Sequence, residues 1–124
     1  MIKVVLAGGA LFALLSVVLG AFGAHGLKSK ISADMLAVFQ TGVQYQFYHA
    51  LGLILLGLLM KQMPSALLAW SGGLMIAGIF MFSGSLYLLA LTGNKLFGPI
   101  TPLGGLFFIV AWGLLLVGVL KGDG

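Results

Sequence analysis

Cysteine, arginine and glutamate are all absent from this 124-residue chain. Without cysteine there are no disulfides, thiolate metal sites, cysteine nucleophiles or lipoprotein thioether anchors. Without glutamate the chain cannot exchange protons through a membrane-embedded glutamate, as small four-helix multidrug antiporters of similar length do. Charge of either sign is scarce: six lysines and two aspartates make up 6% of the residues, where a soluble domain carries about a quarter. None of the eight falls inside the stretches Val4–Ala24, Val43–Met60, Ala66–Leu91 and Leu103–Leu120. Each stretch is about 18 to 26 residues of mostly apolar side chains, enough to cross a hydrocarbon core of roughly 30 Å as a helix. In water a chain that is 61% hydrophobic would expose large apolar patches and aggregate. The expectation is an all-α integral membrane bundle of four transmembrane helices, forming one membrane domain over residues 1–124 with spans near 4–24, 43–60, 66–91 and 103–120.

The lysines are scattered over loops and ends, at Lys3, Lys28, Lys30, Lys61, Lys95 and Lys121. They read as interfacial anchors rather than a nucleic-acid patch. The expected environment is the lipid bilayer, with a homo-oligomer or a membrane-protein partner open and no nucleic acid. Four spans put Lys3, Lys61 and Lys121 on one side (side A) and Lys28, Lys30 and Lys95 on the other (side B). The positive-inside rule is therefore tied, and dual topology stays open. Lys3, the apolar run and Ala21-Phe22-Gly23 resemble a secretory signal, but the run exceeds the usual length, and it is taken as a retained helix.

Gly23-Ala24-His25-Gly26 favours a helix stop. Ser32 is placed to cap a helix from Ala33, with Asp34 at its positive end. No breaker follows before Met60, so an interfacial segment over 33–42 either continues into the second span or bends at Gly42. Pro64 and Ser65 open the third span. Thr92-Gly93-Asn94-Lys95 and the Pro99/Pro102 segment link it to the fourth, beginning at Leu103, and the tail Lys121–Gly124 is minimal. Small residues recur at Gly9, Ala13, Ser16, Gly20 and Ala24, at Gly73, Ala77 and Gly84, and at Gly104, Ala111 and Gly118. Such stripes let helix backbones approach closely, within one bundle or across a dimer.

Polar residues converge on the side-B half: His25 at the end of the first span, Gln44, Tyr45, Tyr48 and His49 in the second, and Ser83, Ser85 and Tyr87 in the third. At about 100° per residue, Gln40, Thr41, Gln44, Tyr45, Tyr48 and His49 cover about half the circumference of the second helix, with Gln46 outside the arc. In lipid such groups are expected to turn inward or find partners. His49 is the one titratable group well inside an apolar stretch, with His25 expected near the same level. It is either a proton-handling group or a neutral imidazole bonded to a Ser, Tyr or backbone carbonyl. No carboxylate lies in the spans to complete a Ser–His–Asp arrangement or to support two histidines around a metal. No catalytic residue, metal ligand or cofactor is expected. The polar cluster is then either a hydrated site or a packing core.

Four segments recur as a set: Gly20-Ala21-Phe22-Gly23-Ala24-His25-Gly26-Leu27; Tyr45-Gln46-Phe47-Tyr48-His49-Ala50-Leu51; Phe82-Ser83-Gly84-Ser85-Leu86-Tyr87 with Leu91-Thr92-Gly93; and Gly98-Pro99-Ile100-Thr101-Pro102-Leu103-Gly104-Gly105. Together they resemble the domain-of-unknown-function 423 family over nearly the whole chain. The resemblance implies a small multi-pass protein of a bacterial cytoplasmic (inner) membrane. It brings no established activity, substrate, cofactor or catalytic residue. Three readings follow: a non-enzymatic accessory, assembly or lipid-interacting protein; a small transporter or channel element using the polar face of the second helix; or an intramembrane enzyme using His49 or His25.

Overall fold

The computed structural model describes residues 1–122; the tail residues Asp123 and Gly124 lie outside them. The described residues form a bundle of four helices long and apolar enough to cross a membrane: α1 (Ile2–Leu27), α2 (Ala33–Gln62), α3 (Ala66–Thr92) and α4 (Ile100–Lys121). Short connections force consecutive helices to run antiparallel.

The helix ends follow local chemistry. Ser32 Oγ accepts from the Met35 N–H at 3.1 Å, opening α2, and Ser65 Oγ accepts from Leu67 N–H at 3.1 Å, opening α3. Each satisfies a first-turn N–H that has no partner within its own helix. Gly93, at φ 70°, closes α3 in the left-handed conformation that glycine tolerates. A 3-10 turn, Lys95–Phe97, precedes α4, which begins at Ile100, three residues ahead of the expected Leu103. Pro102 lies in the first turn, where its missing N–H breaks no helical bond.

Helix α1 ends at Leu27, one residue beyond the expected stop at Gly23–Gly26, but not as a plain α-helix. The main chain instead widens over Leu19–Gly23, with Ala24 N–H bonding Leu19 O, and regains α geometry to Leu27. At Gly42 there is no break, because α2 is one helix of 30 residues. A helix of that length is about 45 Å long, so its N-terminal turns project beyond a core of about 30 Å. Phe39 anchors this extension, buried against Ala24 at the end of α1 and Ala90 at the end of α3.

Helices α2 and α3 form the centre, with α1 and α4 on opposite flanks. Gly9 and Gly57 bring α1 against α2. A Cβ built on Gly9 would lie 2.8 Å from Ala50 O, and one on Gly57 would lie 2.5 Å from Leu6 Cδ2. A Cβ on Gly104 would run into the Phe82 backbone, so α4 meets α3 main chain to main chain there. In this contact α3 again widens, over Ile79–Ser83. The stripes in α1 and α4 thus pack within the chain. Gly73 and Gly84 on α3 do not, since a Cβ on either would meet nothing within 4 Å. On α3, Ser71, Gly72, Met75 and Gly78 are buried instead. The side-A half is filled by an apolar core around Val5, Leu53, Leu56, Leu68 and Met75.

Candidate functional site

The polar side chains of the bundle form three groups of staples between its helices. The first crosses α1, α2 and α3. Gln46, buried on α2, donates through Nε2 to Phe12 O at 3.0 Å, and its Oε1 accepts from the Tyr87 hydroxyl at 2.6 Å. Phe12 O also accepts from Ser16 Oγ at 2.7 Å. The second joins α3 to its neighbours. Ser83 Oγ donates to Gly42 O at 2.7 Å, Ser71 Oγ donates to Ala111 O at 2.7 Å, and Ser85 bonds both Phe82 O and the Thr101 hydroxyl. Gly42 allows the first of these approaches, because a Cβ there would lie 2.8 Å from the Tyr87 ring.

The third staple is His49. Its Nδ1 lies 2.7 Å from Tyr45 O, one turn back on α2. Its Nε2 lies 3.0 Å from the Trp112 indole nitrogen on α4. A carbonyl only accepts and an indole N–H only donates, so Nδ1 carries the proton and Nε2 is the acceptor. Both nitrogens are occupied, and the imidazole is neutral in this arrangement. The ring stacks on Phe108, centroids 3.5 Å apart and planes within 10°. Among the described residues, no buried side-chain nitrogen or oxygen lacks a hydrogen-bond partner.

The structure thus uses His49, Ser83, Ser85 and Tyr87 in separate interhelical hydrogen bonds, and leaves out most of the expected arc. Gln40 and Gln44 are exposed on the bundle surface, Tyr48 is 54% exposed and Tyr45 38%. These groups need not turn inward, because α2 overshoots the membrane and its N-terminus points to side B. Helical side chains lean toward the N-terminus, which carries the amide and phenol groups toward the headgroups, where tyrosines are favoured. Tyr45 contributes its carbonyl to the cluster and packs its ring on Phe82.

His25 is exposed in the last turn of α1 and is not near the level of His49. Gly23 packs at Phe39, Gly20 at Val43 and Gly9 at Ala50. In that register the two histidines are separated by about twelve residues of helix, roughly 18 Å along the axis. Among the described residues, no three His, Asp or Glu side chains are grouped as metal ligands would be.

Gln46 was missed by the helical wheel of polar residues. A signal for it does exist in the sequence. The stripe Gly42, Gln46, His49, Leu53 and Gly57 on α2 follows helical spacing, and its glycines mark the face that neighbours approach. Behind Gln46 and Tyr87 an open cleft of about 260 Å³ separates α1 from α3, walled by Phe12, Leu15, Leu19, Ile79 and Phe80. Its walls suit hydrocarbon, and its polar floor is already paired.

Comparison with known proteins gives a consistent picture. The family model described as a protein of unknown function (DUF423) matches residues 19–105. The chain is 49% identical over 120 residues to the UPF0382 membrane protein YwdK of Bacillus subtilis, covering 96% of this chain and 98% of that one. It is 48% identical over 119 residues to the UPF0382 membrane protein SSP2132 of Staphylococcus saprophyticus, with the same two coverages. A similar protein of Staphylococcus haemolyticus is 47% identical over 113 residues, 91% of this chain and 92% of its own. No solved structure matches.

Proposed function

The chain belongs to the DUF423 family of membrane proteins, and on that premise we propose that it is a non-enzymatic accessory, assembly or lipid-interacting protein of the bacterial cytoplasmic membrane. The observation that carries this reading is the complete pairing of the buried polar core among the described residues. A proton relay or a hydrophilic permeation path uses groups with spare hydrogen-bonding capacity turned toward water. Here His49, Gln46, Tyr87 and Ser83 spend that capacity on neighbouring helices. Interhelical hydrogen bonds of this kind hold transmembrane helices in register where lipid supplies no hydrophobic drive between them. Whole-chain similarity to bacterial proteins named only as membrane proteins supports the compartment.

The test is water access to the core. The chain has no cysteine, so Ser83→Cys, at a side chain with no exposure, reports on the core alone. Gln62→Cys and Leu96→Cys, both exposed, report on sides A and B. A membrane-impermeant maleimide is expected to label positions 62 and 96 and to spare position 83 until the protein is denatured. Labelling of position 83 in the folded protein from the side that labels 96 would replace this reading with a transport or catalytic one.

A further inference from the structure

We propose that the side-A ends of α1 and α2 form a binding site for an anionic glycerophospholipid. The site deepens the lipid-interacting form of the reading above and rests on it.

An open cavity of about 630 Å³ lies between these helices, lined by Ile2, Lys3, Leu6, Ala7 and Lys61. The antiparallel register places the two lysines together. Leu6 packs on Gly57; Lys3 lies one turn before Leu6 and Lys61 one turn after Gly57. From that contact the lysines are about 4.5 Å and about 6 Å further toward the same membrane face. Both are exposed, at the level where an ammonium group reaches headgroups while its stem stays along apolar surface. Below them Ile2, Leu6 and Ala7 offer a wall for an acyl chain. The only carboxylate side chain among the described residues, Asp34, is in the first turn of α2, at the opposite face.

This chemistry selects a phosphodiester that carries net negative charge. Two compact, strongly hydrated ammonium groups on flexible stems can share one phosphate. A choline headgroup would bring its own cation against them. A phosphate without an acyl chain would leave the apolar wall unused. The occupant is therefore an anionic lipid rather than a free anion.

The full-length protein, purified in mild detergent, would be titrated with dioleoylphosphatidylglycerol and dioleoylphosphatidylcholine, with bound lipid read by native mass spectrometry. Each lysine near an anionic headgroup favours binding by roughly five-fold, so a selectivity of roughly twenty-five-fold for the glycerol lipid is expected. The Lys3→Gln/Lys61→Gln pair should bring it close to parity, and Lys61→Gln alone should lower it by roughly five-fold. Lys3→Arg/Lys61→Arg, which keeps the charge, should retain it. Lys28→Gln/Lys30→Gln, which removes the same charge on side B, should leave it unchanged. Undiminished selectivity in the Lys3/Lys61 glutamine pair would overturn the site. An equal loss in the Lys28/Lys30 control would reduce the effect to net charge and also overturn it. Displacement of the lipid by inorganic phosphate at matching concentration would assign the lysines to a free anion instead. If the site fails while position 83 stays protected from maleimide, only the lipid assignment falls and the dry-core reading stands.

Discussion

His49 engages both ring nitrogens, one on its own helix and one across to α4, and this makes its role measurable without knowing a substrate. The bond from Trp112 to Nε2 and the bond from Nδ1 to Tyr45 O require the Nδ1–H tautomer. Nitrogen NMR of the labelled protein should therefore show a neutral imidazole with the proton on Nδ1. A thermodynamic cycle of His49→Phe, Trp112→Phe and the double variant, followed by unfolding in detergent, should give a coupling of about 0.6 kcal/mol and no more than about 1.7 kcal/mol. Zero coupling would mean that the pair does not bond in the folded protein. His49, Ser83, Ser85 and Tyr87 were legible in the sequence, because a polar group amid twenty apolar ones has to be paired and only helix-facing positions pair it. Gln46 was not. A wheel of polar residues assumes that all of them share one environment, whereas α2 leaves the hydrocarbon partway along. The buried stripe that holds Gln46 also holds His49, but its other members, Gly42, Leu53 and Gly57, are apolar, so a wheel of polar residues alone does not mark that face.

At the scale of the helices, the close approaches belong to particular glycines and not to small residues in general. Gly104 and Gly113 lie on the same helix in the same kind of apolar sequence. A Cβ on Gly104 would strike the Phe82 main chain, while one on Gly113 would meet nothing within 4 Å. Backbone cannot move aside as a side-chain tip does, so Gly104→Ala must push α4 away from α3. The loss is expected to exceed about 2 kcal/mol, within the range of overpacked cores. Gly113→Ala is expected to be neutral or to gain up to about 1 kcal/mol from helix propensity. Thermal unfolding of the two variants in one detergent decides this; equal effects would mean that α3 and α4 do not meet main chain to main chain. The four spans, the capped start of α2 and the stripes of α1 and α4 could be read from the sequence, since length, hydropathy and capping are local. The two widened turns, Leu19–Gly23 and Ile79–Ser83, could not. Each shifts the register of the residues beyond it, and no local propensity marks where a helix relaxes to let another backbone in. The stripe at Gly73 and Gly84 on α3 looked like a packing face and proved to be open, because α3 turns Ser71, Gly72, Met75 and Gly78 to its neighbours instead.

The molecule as a whole carries its charge almost symmetrically about the membrane, and this makes its orientation sensitive to small changes. Lys3, Lys61 and Lys121 fall on side A, and Lys28, Lys30 and Lys95 on side B; the four-helix fold fixes this division, since each chain crossing reverses direction. Loop lysines within about 15–20 residues of a span end bias insertion toward the cytoplasm, so the two sides compete on equal terms. Lys28→Gln/Lys30→Gln leaves three lysines on side A against one on side B. Both side chains are exposed in the α1–α2 connection, outside the helices, so the change is expected to act on insertion and not on packing. In this background the Gln62→Cys reporter should be protected from impermeant maleimide in intact cells, and the Leu96→Cys reporter should be labelled. The reciprocal change, Lys61→Gln/Lys121→Gln, should reverse that pattern. If the parent chain labels at both positions in intact cells, copies insert both ways, and each pair should convert the mixture to one orientation. If neither pair alters the pattern, lysine balance does not set the topology, and the order in which α1–α4 fold against one another must do so instead.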